Sequence, residues 1–189
     1  MTLLEAIEAR HSVRKYKDEP IPEEILTTLR ERIREINEEA GLHIQLVTSE
    51  PKAFSGPMAY GSFSGVRNYF VMAGKKGEDL DEKIGCYIAL GYGETQGKGH
   101  KVKDVKEISN ASDVTPKWFN KGVEAAVLAP TAVNQQKFYL EYLGFRDYSK
   151  LPKVAAKPLF SMVGYSKMDL GIVKYHFEVG AGKENFEWA

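Results

Sequence analysis

One cysteine, Cys86, stands in a chain of 189 residues. A lone cysteine excludes an intrachain disulfide and the cysteine-rich zinc clusters, and it suits a reducing compartment. Neither sign of charge is in excess, with 26 Lys and Arg against 26 Asp and Glu. The basic surplus of a nucleic-acid protein is therefore missing. No uncharged apolar run approaches the roughly 20 residues of a membrane helix. The opening Met1-Thr2-Leu3-Leu4-Glu5-Ala6-Ile7-Glu8 lacks the basic and long apolar regions of a secretory signal, so a cytoplasmic protein is expected. The histidines, at 11, 43, 100 and 176, have no metal-ligand spacing with a carboxylate or with Cys86, and no metal site is expected. His43 and His176 read as packing or boundary residues. There is no Gly-x-Ser-x-Gly elbow, and Cys86, which begins an apolar run, reads as buried rather than nucleophilic. What is present is the ordinary stock of a packed domain, 43% hydrophobic and 28% charged, in a chain long enough for a real core.

Thr2 and Glu5 fit a capping box, with Leu3, Leu4 and Ile7 on one face, which predicts a short helix from Thr2 to Ala9. Pro22 suits the first position of a second helix. Ile25, Leu29, Ile33 and Ile36 recur through it at helical spacing, and Gly41 stops it. Strands are expected at Leu42 to Ser49, Asn68 to Ala73, Cys86 to Tyr92, Phe138 to Leu143 and Pro158 to Val163. The Gly- and Lys-rich stretch from Gly91 to Lys106 reads as a loop. Thr115-Pro116 opens a helix with Trp118, Phe119, Val123, Ala126 and Val127 on one side, and Asp169 is read as the cap of a last helix with Leu170, Val173 and Phe177 inward. Helices and strands are intermixed without strict alternation, so the expected class is α+β, a mixed sheet covered by helices.

Three constellations could carry chemistry. Arg10-His11-Ser12-Val13-Arg14 places two guanidiniums, an imidazole and a hydroxyl just past a helix. In an extended segment Arg10, Ser12 and Arg14 share a side, which suits a phosphate or the polar edge of a ring system. The same residues also read as a solvated basic turn that favours a helix dipole. Ala129-Pro130-Thr131-Ala132-Val133-Asn134-Gln135-Gln136 packs small residues, a proline, a hydroxyl and three amides into one turn that a flat polar ligand could approach closely. It reads equally as a helix stop made by Pro130. Gly91-Tyr92-Gly93-Glu94-Thr95-Gln96-Gly97-Lys98-Gly99-His100-Lys101-Val102-Lys103 could cradle a phosphate, or be a flexible surface loop; it is neither a Walker sequence nor a dinucleotide fingerprint.

Together these pieces resemble the nitroreductase-like family of FMN-dependent oxidoreductases. Glu8-Ala9-Arg10-His11-Ser12-Val13-Arg14-Lys15-Tyr16 resembles the family's opening Arg-x-Ser-x-Arg-x-aromatic element, and Ala129 to Gln136 resembles its Ala-Pro-Ser-Ala-x-Asn-x-Gln element, with Thr131 for the serine. The late position of the second element, and the ending Asp169-Leu170-Gly171-Ile172-Val173-Lys174-Tyr175-His176-Phe177-Glu178, resemble a smaller branch found in anaerobic and thermophilic bacteria. The resemblance implies a nitroreductase-like mixed sheet flanked by helices, as a single domain over 1–189. It implies FMN contacts from Arg10, His11, Ser12 and Arg14, with Pro130, Thr131, Asn134 and Gln136 lining the other side of the isoalloxazine and His100 and Lys101 near the phosphate. It implies ping-pong hydride transfer from NAD(P)H to a nitroaromatic, quinone or similar acceptor, the alternative being a flavin-binding carrier or regulator without turnover. The absence of an acid–base constellation agrees with a reaction whose chemistry resides in the cofactor. The commoner branch forms dimers with flavin at the interface, so a homodimer is one expectation; a site completed within one chain is the other. Relatives carry a further helix where Asp81-Glu82-Lys83-Ile84-Gly85 here meets Cys86-Tyr87-Ile88-Ala89-Leu90. Between Gly85 and Cys86 that helix is expected to be disordered, deleted or naturally absent.

Overall fold

A computed structural model describes residues 1–54, 62–75, 81–146 and 148–189. The chain divides into two compact units, Met1–Arg10 with Gly99–Ala189, and His11–Lys98. Mixed helices and strands make the fold α+β, as expected from the sequence.

In the first unit, α1 (Leu3–Ala9) begins with the predicted capping box: Glu5 N–H donates to Thr2 Oγ1 at 3.2 Å, and Thr2 N–H donates to Glu5 Oε2 at 2.7 Å. A short α3 (Val105–Ile108) precedes α4 (Lys117–Ala126), which Pro116 opens. Next come β4 (Phe138–Gly144), β5 (Lys153–Pro158), α5 (Ser166–Ala181) and β6 (Glu187–Trp188). The sheet order is β4-β5-β6, with β4 and β5 antiparallel and β5 and β6 parallel. Phe119, Val123, Phe138, Leu140, Val154, Val173 and Phe177 form the fully buried centre of this unit. Helices α4 and α5 cross closely because Gly122 and Gly180 leave no side chain between them. A Cβ at Gly122 would lie 2.6 Å from Phe177 Cε2, and one at Gly180 2.6 Å from the Lys121 carbonyl oxygen. The sequence expectation of a strand over Pro158 to Val163 falls one element late: β5 ends at Pro158. Asp169 is not the cap of α5. It lies inside the first turn, and Tyr165 holds the cap position at φ 60°.

In the second unit, α2 (Glu23–Ala40) follows Pro22 and ends at Gly41, whose φ of 61° is the left-handed stop anticipated from sequence. Its inward face is Leu26, Leu29, Ile33 and Ile36, while Ile25 points outward. Strands β1 (Leu42–Val47), β2 (Asn68–Lys75) and β3 (Glu82–Leu90) form an antiparallel sheet in that order. Asn37 ties α2 to β1 with both ends of its amide, donating to the Ile44 carbonyl at 2.9 Å and accepting from Ile44 N–H at 2.7 Å. β3 passes through Gly85 and Cys86 as one strand. Met72 faces Cys86 and Ala73 faces Ile84, so Gly85 is the extra residue of a β-bulge. Among the described residues no helix is long and apolar enough to cross a membrane, and no group of His, Cys, Asp and Glu could hold a metal ion.

Candidate functional site

The Ala129–Gln136 turn grows out of α4. Pro130 ends the helical hydrogen bonding, and the chain then doubles back: Asn134 N–H donates to the Thr131 carbonyl at 2.9 Å and Gln135 N–H to the Ala132 carbonyl at 2.9 Å. The turn is strained. Val133, Asn134 and Gln136 hold φ of 45°, 55° and 44°, a region that costs a β-branched residue most. Such a conformation persists only where its surroundings over-determine it, and three sets of bonds do so here. Thr131 Oγ1 accepts from Gln136 N–H at 3.0 Å. Asp169, only 6% exposed, accepts from Ala132 N–H at 2.9 Å and from Gln135 Nε2 at 2.5 Å.

The third set joins the turn to the basic stretch that precedes α3. Gln136 is 3% exposed, and its amide pairs with backbone as a neighbouring strand would. Oε1 accepts from Lys103 N–H at 2.9 Å, and Nε2 donates to the Lys101 carbonyl at 2.8 Å and to Asn134 Oδ1 at 3.0 Å. Asn134 Nδ2 donates to the same Lys101 carbonyl at 2.9 Å, and Lys103 Nζ donates to the Gln136 carbonyl at 2.9 Å. His100 Nε2 lies 3.3 Å from the Val127 carbonyl at the end of α4. Thus the first unit brings together Thr131, Asn134, Gln136, His100 and Lys101. It spends the Gln136 amide on fixing Lys101–Lys103 and leaves the Lys101 side chain exposed. Arg10 caps the end of α1, its N–H donating to the Ala6 carbonyl at 3.0 Å. Burial lowers the pKa of its guanidinium. Its charge also acts on His176, which is 7% exposed and has Nδ1 3.2 Å from the Ala125 carbonyl.

In the second unit, the chain from His11 to Lys17 is extended and bonds on both sides. Tyr16 N–H donates to the Ser64 carbonyl at 2.9 Å, and Ser64 N–H returns to the Arg14 carbonyl at 2.9 Å. On the other side Lys17 N–H donates to the Tyr92 carbonyl at 2.8 Å, Glu94 N–H to the Lys15 carbonyl at 3.0 Å, and Ser12 bridges Lys98. The glycine-rich stretch is thus an extended partner of this segment, and its glycines serve that approach. A Cβ at Gly97 (φ 72°) would lie 2.8 Å from the Ser12 carbonyl oxygen. His11 Nδ1 sits 3.3 Å from the Gln96 carbonyl. His11, Ser12 and Arg14 are exposed. A separate cavity of about 270 Å³, lined by Tyr16, Lys17, Asp18, Arg67 and their neighbours, includes none of the predicted site residues, and its Arg67 pairs with Asp18 at 2.9 Å. Cys86 is half-buried, and burial raises its thiol pKa, which disfavours the nucleophilic thiolate.

Sequence reasoning did not place Asp169, Gln135, Lys103 or Ser161 among the site residues. Asp169 and Ser161 join the turn across 26 or more positions of sequence, and no local spacing announces such a pairing. The one signal available was Gln135 itself, a third amide between the two that the pattern explains.

The family model described as "Putative TM nitroreductase" matches residues 2–87 and 82–181. Its two matched segments overlap within β3, at the bulge. No curated protein matches the chain. A solved structure of a putative nitroreductase from Thermotoga maritima is similar over 97% of this chain and 85% of that one, at 19% identity and a TM-score of 0.64. That likeness speaks for the fold.

Proposed function

Because the chain belongs to the TM nitroreductase family, we propose that it is an FMN-dependent NAD(P)H oxidoreductase that reduces nitroaromatic, quinone or similar acceptors. The observation that carries this reading is the strained Ala132–Gln136 turn. A helix stop needs only Pro130. Three left-handed non-glycine residues held by Asp169, Thr131 and Lys101–Lys103 amount to a rigid, preorganised surface.

The donor set suits FMN. In the second unit exposed Arg14 and Ser12, and in the first unit exposed Lys101, are cationic and hydroxyl groups of the kind that takes a phosphate or the pyrimidine edge of a flavin. The small side chains of Ala129, Pro130 and Ala132 let backbone approach a flat ring. The chemistry that FMN supplies when bound is acceptance of hydride from NAD(P)H and return of two electrons to the acceptor. The protein's own work is to bind and to orient. Within the first unit Arg10 and Lys101 supply positive charge, with His100 next to Lys101 in sequence; within the second, Arg14 supplies it, with His11 in the same extended segment. Thr131 and Asn134 shape the turn, and Gln136 acts as a positioning residue through Lys101 and Lys103.

Purified protein should carry flavin absorbance. Under anaerobic conditions NADH or NADPH should bleach it, and a nitroaromatic should restore it. A flavin that no nicotinamide reduces would favour a carrier without turnover. Arg14→Ala should lower FMN content several-fold at equal protein, since one exposed charge-assisted phosphate contact is removed. Unchanged content would remove Arg14 from the site.

A further inference from the structure

The segment Leu159-Phe160-Ser161-Met162-Val163-Gly164 has no charged side chain, yet it lies at the surface. Phe160 is 84% exposed and Met162 is 92% exposed, with Val163 and Tyr165 also open to solvent. A free apolar loop of this kind would be expected to fold back on itself, because exposure of so much apolar surface is unfavourable. This one is held out by hydrogen bonds. Leu159 N–H donates to the Lys137 carbonyl at 2.9 Å. Ser161 Oγ donates to Gln135 Oε1 and accepts from Val163 N–H at 3.1 Å. Gln135 Nε2 donates to the Gly164 carbonyl at 3.0 Å as well as to Asp169. Gln135 is therefore a staple. It belongs to the Ala129–Gln136 turn and fastens the apolar segment to that turn.

An exposed apolar ridge built on a rigid base marks a binding surface. Its position decides between occupants, because it is continuous with the turn assigned to the flavin. Its chemistry decides the class: an aromatic ring and a thioether give flat, adaptable apolar contact, and no Asp, Glu, Lys, Arg or His lies between Leu159 and Ser166. We infer that Phe160 and Met162 form the acceptor-facing rim of the site, held in place through Gln135, and that they select neutral, apolar, ring-bearing acceptors over charged ones. This rests on the FMN reading above. For a quinone the balance is simple: a hydride equivalent from NAD(P)H and a proton from solvent give the hydroquinone and NAD(P)+.

The test uses the FMN-loaded protein with 1,4-naphthoquinone as the neutral probe and hexacyanoferrate(III) as the charged one. In Phe160→Ser/Met162→Ser the ratio of KM for the quinone to KM for hexacyanoferrate should rise about tenfold or more, from the loss of two apolar contacts. Phe160→Leu/Met162→Leu should recover most of that ratio. Independently of turnover, the Met162 ε-methyl NMR signal, identified by its loss in Met162→Leu, should shift on titration with naphthoquinone. An unchanged KM ratio, or a still Met162 signal in FMN-loaded protein, overturns the inference. So does a serine variant that alters the sedimentation coefficient and not the ratio, since the ridge would then be an interface between copies of this chain. If the protein retains no FMN, the functional reading fails by itself, and the Met162 shift alone then judges the ridge.

Discussion

Replacing Asp169 should cost more than any other single change near the turn. Its carboxylate is buried and accepts two bonds, from Ala132 N–H at 2.9 Å and Gln135 Nε2 at 2.5 Å. Hydrogen bonds to a charged group contribute about 1.5–3 kcal/mol each, so the pair amounts to about 3–6 kcal/mol. Removing the carboxylate also removes the cost of desolvating it, which brings the expected loss for Asp169→Ala to about 2–4 kcal/mol. For a chain of this size about 3 kcal/mol corresponds to a fall in Tm of roughly 6–12 °C. Asp169→Asn keeps one acceptor for Ala132 but turns an amide toward the Gln135 amide, and should lose roughly half as much. Tryptophan fluorescence during urea unfolding is a suitable readout, because Trp118 stacks on Phe186 at 5.7 Å and Trp188 meets the same ring at 4.9 Å within this unit. A double-mutant cycle with Gln135→Ala should show coupling above about 0.5 kcal/mol. If Asp169→Ala shifts stability by less than about 0.5 kcal/mol, or the cycle shows no coupling, the carboxylate does not anchor the turn.

Gly180→Ala should destabilise by about 1 kcal/mol, because overpacking at 2.6 Å from the Lys121 carbonyl outweighs the helix-propensity gain of about 1 kcal/mol; a raised urea midpoint would refute the close crossing. Gly65→Ala should cost more than about 2 kcal/mol in the second unit, since its Cβ would lie 2.1 Å from the Tyr16 carbonyl oxygen at a φ of 73°, and hydrogen exchange at the Tyr16 and Ser64 amides should accelerate. His176 titrates below its ordinary 6.5, chiefly through burial; the Ala125 carbonyl opposes the shift and Arg10 adds to it. The unfolded chain therefore binds this proton more readily than the folded one, so the site's contribution is whole above pH 6.5 and lost as pH falls through the depressed folded value. His176→Asn, which can still donate to Ala125, should flatten the stability slope between roughly pH 7 and pH 5; an unaltered slope would assign the acid sensitivity elsewhere.

Local rules made α1 and α2 legible. The Thr2–Glu5 box and the Gly41 stop act within a few residues, so the sequence shows them directly. The Ala129–Gln136 turn was legible as a pattern, but the work of its side chains was not. Gln136 looked like a ligand group and is bonded to the backbone of Lys101–Lys103, a partnership set by tertiary contact. Lys153 to Pro158 escaped notice because alanines and lysines give a weak strand signal, and burial under α5 overrides that propensity. Leu159 to Val163 misled for the opposite reason. Its apolar character suggests a buried strand, whereas the structure holds it at the surface. In this second segment composition reports what the chain would prefer to bury, and the hydrogen bonds of Gln135 decide what it does.

The bridge between Ser12 and Lys98 bears on how the molecule assembles. The first unit is discontinuous, made from Met1–Arg10 and Gly99–Ala189, so the whole of His11–Lys98 is an insertion between α1 and the helices that cover it. Closing a long flexible loop costs entropy that grows with the logarithm of its length. Here the insertion's own ends are already side by side, with Ser12 against Lys98 and His11 against Gln96. Once folded, the insertion begins and ends at neighbouring points of its own chain. The second unit, being continuous in sequence, can fold as synthesis proceeds, while α1 waits for α4 and α5 to be made. The glycines at 93 and 97, which permit that close pairing, thereby shorten the effective distance in sequence over which the first unit must find itself.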